Sequence, residues 1–320
     1  VPGRFSTGEL GVTITTSTNS TPTLVGLVLV GLAAGCGTDT GPAMLPSRIV
    51  SRSMPAAGPM IPAPRAVTTA ADNTVYVLDN AGRVLVFDRE GRPLRQWDMP
   101  ESDVGNPEGV CLLSDGRIAV ADTHYHRVVI FDDQGRVEKM FGQEGQRNGE
   151  FIWPVAIVED GEGNLFVSEY GGANRVQKFD RNWRHLLTFG GLGDAPGQFQ
   201  RPSGMVWRNG RLYIVDAFND RIQVFDAHGH FLEILGTQDK SSRLHYPYDI
   251  ALGPDGDLWV VEYGAGRVSR FDLSGRLLGR FGTTGSGRNQ FGTPWGLGVD
   301  STRRVWVADT RNRRLVSLDL

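Results

Sequence analysis

Two sets of ionisable side chains in this chain have the types and spacing to do chemistry. The first set recurs. An acid is followed four to six residues later by an arginine in six places: Asp79 and Arg83, Asp122 and Arg127, Glu169 and Arg175, Asp216 and Arg221, Glu262 and Arg267, Asp309 and Arg314. Six carboxylates facing an enclosed centre suggest catalysis or metal binding. An acid and an arginine bridged across a tight loop satisfy each other more simply, and a feature present in every copy of a repeat reads as scaffold. The second set does not recur. Glu108, Arg201 and His245 bring together a carboxylate, a guanidinium and an imidazole, and they are the catalytic candidates if the chain is an enzyme. His124 and His126 share one loop, but zinc needs three or four converging ligands, so no metal site is assigned. Cys111, inside the apolar run Gly109 to Leu113, reads as a small buried side chain. Gly190-Gly-Leu-Gly193 lacks the following helix that a nucleotide fingerprint requires.

The elements that position these residues come as one unit written six times. Each copy opens on a proline: Pro64, Pro107, Pro154, Pro202, Pro247 and Pro294, at steps of 43, 47, 48, 45 and 47 residues. In the second copy, Val110-Cys-Leu-Leu is a short apolar strand and Asp115-Gly116 a two-residue hairpin turn. Arg117 to Asp122, Arg127 to Asp132 and Val137 to Phe141 follow as three further strands with two-residue alternation. A period in this range with four strands per unit predicts an all-β six-bladed β-propeller of four-stranded antiparallel blades, spanning 47–320 as a single domain. The sixth copy supplies only three strands. Ser47-Arg-Ile-Val-Ser-Arg52 is expected to pair with Arg314 to Leu318 and close the ring, because an open seam would leave an unpaired edge.

Alternating strands send the loops to two faces. One face collects His124, Tyr125, His126, Tyr170, Phe218 and Tyr263 from the loops between second and third strands. It also collects Glu108, Trp153, Arg201, Tyr246, Tyr248 and Trp295 from the links between blades. The opposite face carries plain turns such as Asp115-Gly116, Asn209-Gly210 and Asp255-Gly256. Aromatic and arginine side chains concentrated on one loop surface mark a contact site. The ligand-binding residues expected are His124, Tyr125, His126, Trp153, Tyr170, Phe218, Tyr248, Tyr263 and Trp295. The competing reading is that some of these rings pack inward as filler between blades.

Pro202-Ser-Gly-Met with Leu212-Tyr-Ile-Val-Asp216 and Arg221-Ile-Gln-Val-Phe-Asp226 closely resembles the NHL repeat family, over residues 64 to 320. The resemblance implies a six-bladed propeller. Blades 3 and 5 depart from the pattern, with Glu169-Tyr-Gly171 and Glu262-Tyr-Gly264 in the loop. Some members of such families are amidating lyases that hold zinc through histidines at blade starts. Here only His245 stands just before a blade-opening proline. Eukaryotic members bind RNA through a basic face. This chain has a net charge of −3, from 33 basic and 36 acidic residues, and only a local basic run from Arg303 to Arg314. Nucleic acid is therefore not an expected partner.

Residues 24 to 35 form an apolar run too short for a comfortable membrane span and of the length of a signal-peptide core. Ala33-Ala34-Gly35-Cys36 resembles a bacterial lipobox, which implies a signal peptide over 1–35 and lipidation of Cys36. The Gly-, Thr- and Pro-rich stretch within 36–46 reads as a flexible tether. The expectation is an exported propeller, anchored by lipid in the bacterial cell envelope, that binds or scaffolds a protein or small ligand on its loop-rich face. No cofactor is expected. The alternative is a propeller enzyme of the lyase or lactonase type, with a divalent metal or an acid–base site at the channel mouth.

Overall fold

The computed structural model describes residues 41–237 and 240–320, so the expected signal peptide and the lipidation at Cys36 lie outside the described residues. Six four-stranded antiparallel sheets follow one another along the chain. Blade 1 is Pro64–Thr69, Val75–Asp79, Arg83–Phe87 and Pro93–Asp98. Blade 2 is Gly109–Leu112, Ile118–Asp122, Arg127–Phe131 and Val137–Phe141, and blade 3 is Trp153–Glu159, Leu165–Tyr170, Arg175–Phe179 and His185–Gly190. Blade 4 is Pro202–Arg208, Arg211–Asp216, Arg221–Asp226 and Phe231–Leu235, and blade 5 is Pro247–Leu252, Leu258–Glu262, Arg267–Phe271 and Leu277–Phe281. Blade 6 takes Gly296–Val299, Arg304–Asp309 and Arg314–Asp319 from one end of the chain and Arg48–Ser53 from the other.

That last strand is the expected latch. It runs antiparallel to the final strand, with Arg48 opposite Asp319 and Ser53 opposite Arg314. The first strands of all six blades contact their neighbours in a closed circuit, so they line a central channel. Residues 42–44, at the end of the segment read as a tether, also bond to the propeller. Arg280 N donates to the Pro42 carbonyl and Met44 N to the Arg280 carbonyl, each at 2.8 Å. The outer strand of blade 5 would otherwise present these groups to solvent.

Apolar alternation builds six cores, one between each pair of consecutive blades. Phe151, Phe199 and Phe291, each fully buried, plug three of these seams from the links between blades. Gly190 ends the outer strand of blade 3, and Gly191 and Gly193 belong to the link that follows, in which Leu192 bridges to Phe199. Among the described residues no helix is long and apolar enough to cross a membrane.

The recurring acids and arginines pair in every blade. The distances are 2.7 Å for Asp79 and Arg83, 2.8 Å for Asp122 and Arg127, and 2.6 Å for Glu169 and Arg175. They are 2.7 Å for Asp216 and Arg221, 2.7 Å for Glu262 and Arg267, and 2.6 Å for Asp309 and Arg314. The acids are buried and also hold the link that enters the blade: Gln200 N donates to Asp216 at 2.7 Å and Gly292 N to Asp309 at 2.6 Å. Five of the arginines return to loop carbonyls, and Arg127 pairs instead with Glu101. Arg221 donates to Asp194, Ala195 and Gln198. A charge buried without partners costs several kcal/mol, and here each acid meets its arginine, with Asp122 Oδ1 in blade 2 left without a partner.

Candidate functional site

The site is built by proline. A proline at the start of a first strand has no N–H to give to the ladder, and the register slips beside it. Pro64 faces Asp79 but Ala66 faces Leu78, which leaves Arg65 unmatched. Val155 is left over in the same way in blade 3, Ser203 and Gly204 in blade 4, and Tyr248 in blade 5. Bulges re-aim side chains, and these sit at the rim of the channel. Glu108 and Trp295 hold the corresponding places in blades 2 and 6, where their amides bond to Ala121 and Ala308.

Three of these residues and one neighbour, Arg201, form a chain of hydrogen bonds across the mouth. Arg65 meets one oxygen of the buried Glu108 carboxylate at 3.0 Å. The Tyr248 hydroxyl donates to the other oxygen at 2.9 Å, and Arg201 Nη2 donates to that hydroxyl at 3.1 Å. Burial, with the Glu108 charge beside it, pushes the Tyr248 hydroxyl well above its ordinary range, so it stays protonated and donates. Each guanidinium also stacks on rings. Arg65 lies 3.6 Å over Trp295, and Arg201 lies 4.2 Å over Tyr170 and 5.7 Å from Phe218. Burial pushes the Tyr170 hydroxyl up to about 12, with Glu108 adding to the effect.

The rings continue into one cluster. Tyr246 is 4.7 Å from Tyr263 and 5.2 Å from Phe218, Tyr248 is 4.9 Å from Trp295, and Trp153 is 5.3 Å from Tyr170. Phe218 is 56% exposed and Trp153 37%, so the cluster reaches solvent at its rim. Two residues that enter it, Arg201 and Tyr246, hold left-handed φ values of 62° and 45° just before their prolines. Asn174 and Asp220 from the preceding blades clasp their amides, at 2.9 Å and 2.6 Å. Those clasps offset a backbone conformation that side-chain-bearing residues adopt at a cost.

Six of the expected contact residues therefore come together: Trp153, Tyr170, Phe218, Tyr248, Tyr263 and Trp295. Of these, Tyr248 is buried, and it serves as the hinge of the polar chain. The other three stand elsewhere on the face. The Tyr125 hydroxyl accepts from Asp103 N at 2.9 Å, His124 Nδ1 lies 3.1 Å from the Asn106 carbonyl oxygen, and His126 Nδ1 faces the Ile152 carbonyl. They tie down neighbouring links. Of the catalytic candidates, Glu108 and Arg201 share the polar chain through Tyr248. The imidazole of His245 packs instead where a side chain on Gly264 would stand, with its amide bonded to Glu262 at 2.8 Å. Among the described residues no three of His, Cys, Asp and Glu converge as a metal set.

Arg65 is the residue that reading the sequence missed. The position after each opening proline was the available signal: Arg65, Glu108, Val155, Ser203, Tyr248 and Trp295. Below them the first strands enclose a channel of about 340 Å³. Cys111 and Asp249 stand in its wall. Cys111 is half-buried against the channel rather than sealed in a core, and desolvation pushes its thiol up to about 12, so it is not a ready nucleophile. Asp249 is exposed only to the channel, and burial away from bulk water raises its carboxyl to about 7 despite amide hydrogen bonds from Leu297 and Ile250. The basic run of blade 6 is largely neutralised: Arg303 pairs with Asp255, Arg304 with Asp319 and Arg314 with Asp309.

The NHL repeat model matches residues 105–131 and 291–316, within blades 2 and 6. The chain is 30% identical over 144 residues to the protein brain tumor of Drosophila melanogaster, across 44% of this chain and 13% of that protein. It is 26% identical over 205 residues to NHL repeat-containing protein 3 of Mus musculus, across 58% of each. It thus matches less than two thirds of the length of either relative. Among solved structures, virginiamycin B lyase from Staphylococcus aureus superposes with a TM-score of 0.59 at 15% identity, over 85% of this chain and 99% of that one. A gluconolactonase from Xanthomonas campestris superposes with a TM-score of 0.60 at 15% identity, over 81% and 86%. At that identity the lyase and the lactonase establish the shared fold alone. The matched repeats, the six blades and the latch together identify the chain as an NHL-repeat six-bladed β-propeller.

Proposed function

We propose that this chain is an exported, lipid-anchored binding propeller that presents its aromatic loop face to a protein or small ligand. The observation that carries the reading is the ring cluster at the channel mouth, fed by four blades and reaching solvent through Phe218 and Trp153. Exposed rings on a rigid framework supply contact area at low entropic cost, as interface anchors do. Export and anchoring rest on the apolar run before Cys36. The neutralised arginines of blade 6 favour a partner other than nucleic acid.

The test is a pull-down from the native membrane fraction with the full chain, beside a Trp153→Ala, Phe218→Ala double variant. The expected result is a partner retained by the unaltered chain and lost from the variant. Equal capture by both contradicts the reading. Metal content measured on the same purified sample addresses the enzyme alternative, which a stoichiometric, tightly held divalent ion would favour.

A further inference from the structure

The face opposite the mouth is made of plain turns, and blade 3 departs from them twice. Turns between third and fourth strands share one pattern. An aspartate is followed three residues later by a glycine whose amide returns to the aspartate carbonyl. Asp88 and Gly91, Asp132 and Gly135, Asp226 and Gly229, and Asp272 and Gly275 follow it. Blade 3 has Asp180 and Trp183 instead, with the same hydrogen bond at 2.9 Å and a left-handed φ of 66° at the tryptophan. That conformation is free for glycine and costly for a bulky residue. Strain of this kind gathers at functional sites. The second departure is Glu159, which stands opposite Leu165. The other blades put Thr69, Leu112, Trp207, Leu252 and Val299 in that place, none of them charged.

Both departures line one pocket of about 110 Å³ in the seam between blades 2 and 3, together with Arg117 and Arg181. Buried Leu113 and Leu165 give it an apolar wall. Trp183 is clamped there. It stacks on Phe141 at 5.5 Å, and the Arg117 guanidinium lies 5.0 Å over its ring. Arg117 is itself committed to Asp115 at 2.7 Å. Glu159 is fixed across the seam, accepting from Ser114 N at 2.6 Å and from Ser114 Oγ at 3.1 Å. Both donors are neutral, and among the described residues no cation lies within ion-pair distance of Glu159. Arg181 takes the space that a side chain on Gly163 would fill and gives its Nε–H to the Glu162 carbonyl. Its two Nη groups, the end of the guanidinium, donate to no group among the described residues, and no carboxylate there lies within ion-pair distance. The pocket thus holds one carboxylate and one guanidinium that pair neither with a neighbour nor with each other.

Opposite charges held apart in a small cavity match a ligand that carries both. The end of a guanidinium presents two parallel N–H groups to a carboxylate. Each Glu159 oxygen keeps a second lone pair for an ammonium. We propose that this seam pocket binds a small zwitterion, an α-amino acid of about the size of glycine or alanine, with its ammonium on Glu159 and its carboxylate on the end of Arg181. Trp183 is the rigid wall that limits its size. The site lies on the face opposite the ring cluster and stands independently of the binding role assigned to that cluster.

The experiment is equilibrium dialysis of the purified full chain at constant ionic strength near neutral pH, against radiolabelled L-alanine, acetate and methylammonium. Alanine is expected to bind saturably, at one per chain. Acetate and methylammonium each carry half of the charge pattern and are expected to bind about tenfold more weakly or worse. Glu159→Gln keeps the shape of the side chain and is expected to weaken alanine about tenfold while leaving acetate unchanged. Arg181→Gln is expected to weaken alanine and acetate alike and to leave methylammonium unchanged. If either variant fails to fold by circular dichroism, the three ligands compared on the unaltered chain decide. Acetate binding as tightly as alanine, or alanine binding that survives both substitutions, overturns the proposal. So does the absence of saturable alanine binding below about 10 mM. The dialysis and the pull-down read opposite faces, so either can fail alone.

Discussion

The blade staples and the channel mouth use the same side chains to opposite ends. In the staples each acid has its arginine, five of the arginines add loop carbonyls and Arg127 adds Glu101, and the arrangement returns six times round the ring. At the mouth the residues occur once each, and the sums do not close. Glu108 is shared between two donors, and Arg201 has no carboxylate partner among the described residues and a buried Nε without one. Repetition, with every acid paired to its arginine, belongs to the framework. Singularity with a deficit belongs to the place where something else binds.

The framework side of this comparison predicts the largest effects. A chain beginning at residue 54 lacks the strand that covers blade 6 from Arg314 to Asp319. It is expected to lose cooperative unfolding and to associate through the open edge, as measured by calorimetry and light scattering. A monomeric truncated chain with an unchanged midpoint would contradict the latch. Next in size is Asp216→Ala, which strands Arg221 and removes the acceptor for the Gln200 amide and for Asn219. A loss of about 3–5 kcal/mol in urea unfolding is expected. A loss under about 1 kcal/mol would mean the staple is ornamental.

The channel wall supplies a smaller, pH-dependent test. The Asp249 carboxyl titrates near 7 in the folded chain, against an ordinary value of 3.8. Between those values the folded state keeps a proton that the unfolded state has released. Stability therefore falls as pH rises through this window. Asp249→Asn is expected to flatten that slope, by about 3 kcal/mol between the ends of the window, in urea titrations from about pH 4 to 7.5. Parallel curves for the two proteins would place the carboxyl in ordinary solvent.

Much of this framework was legible in the sequence because repetition amplifies it. Six prolines at near-equal steps, six acids with six arginines and a missing fourth strand determine the ring, its staples and its latch. The mouth was legible only in part. Trp153, Tyr170, Phe218, Tyr248, Tyr263 and Trp295 were grouped by their loops, and they do cluster. Tyr125 and His124 were grouped on the same ground, yet they point to their own neighbouring link. A loop assignment gives the face and not the direction of a side chain. Arg65 escaped because it occurs once and follows Pro64, where the bulge, rather than strand alternation, decides where it points. Cys111 escaped in the opposite sense. Strand alternation placed it inside, and in a propeller the inside of a first strand includes the channel wall.

The central claim is that repeated charges hold the fold and single ones serve the site. Its most direct test is the unfolding free energy of Arg221→Ala set beside that of Arg201→Ala. Arg221 bridges Asp216 and three loop carbonyls, whereas Arg201 donates to one phenol and leaves its Nε unpaired. Arg221→Ala should lose about 3 kcal/mol or more, and Arg201→Ala should stay within about 1 kcal/mol of the unaltered chain. Equal losses would make Arg201 one more structural arginine and contradict the account.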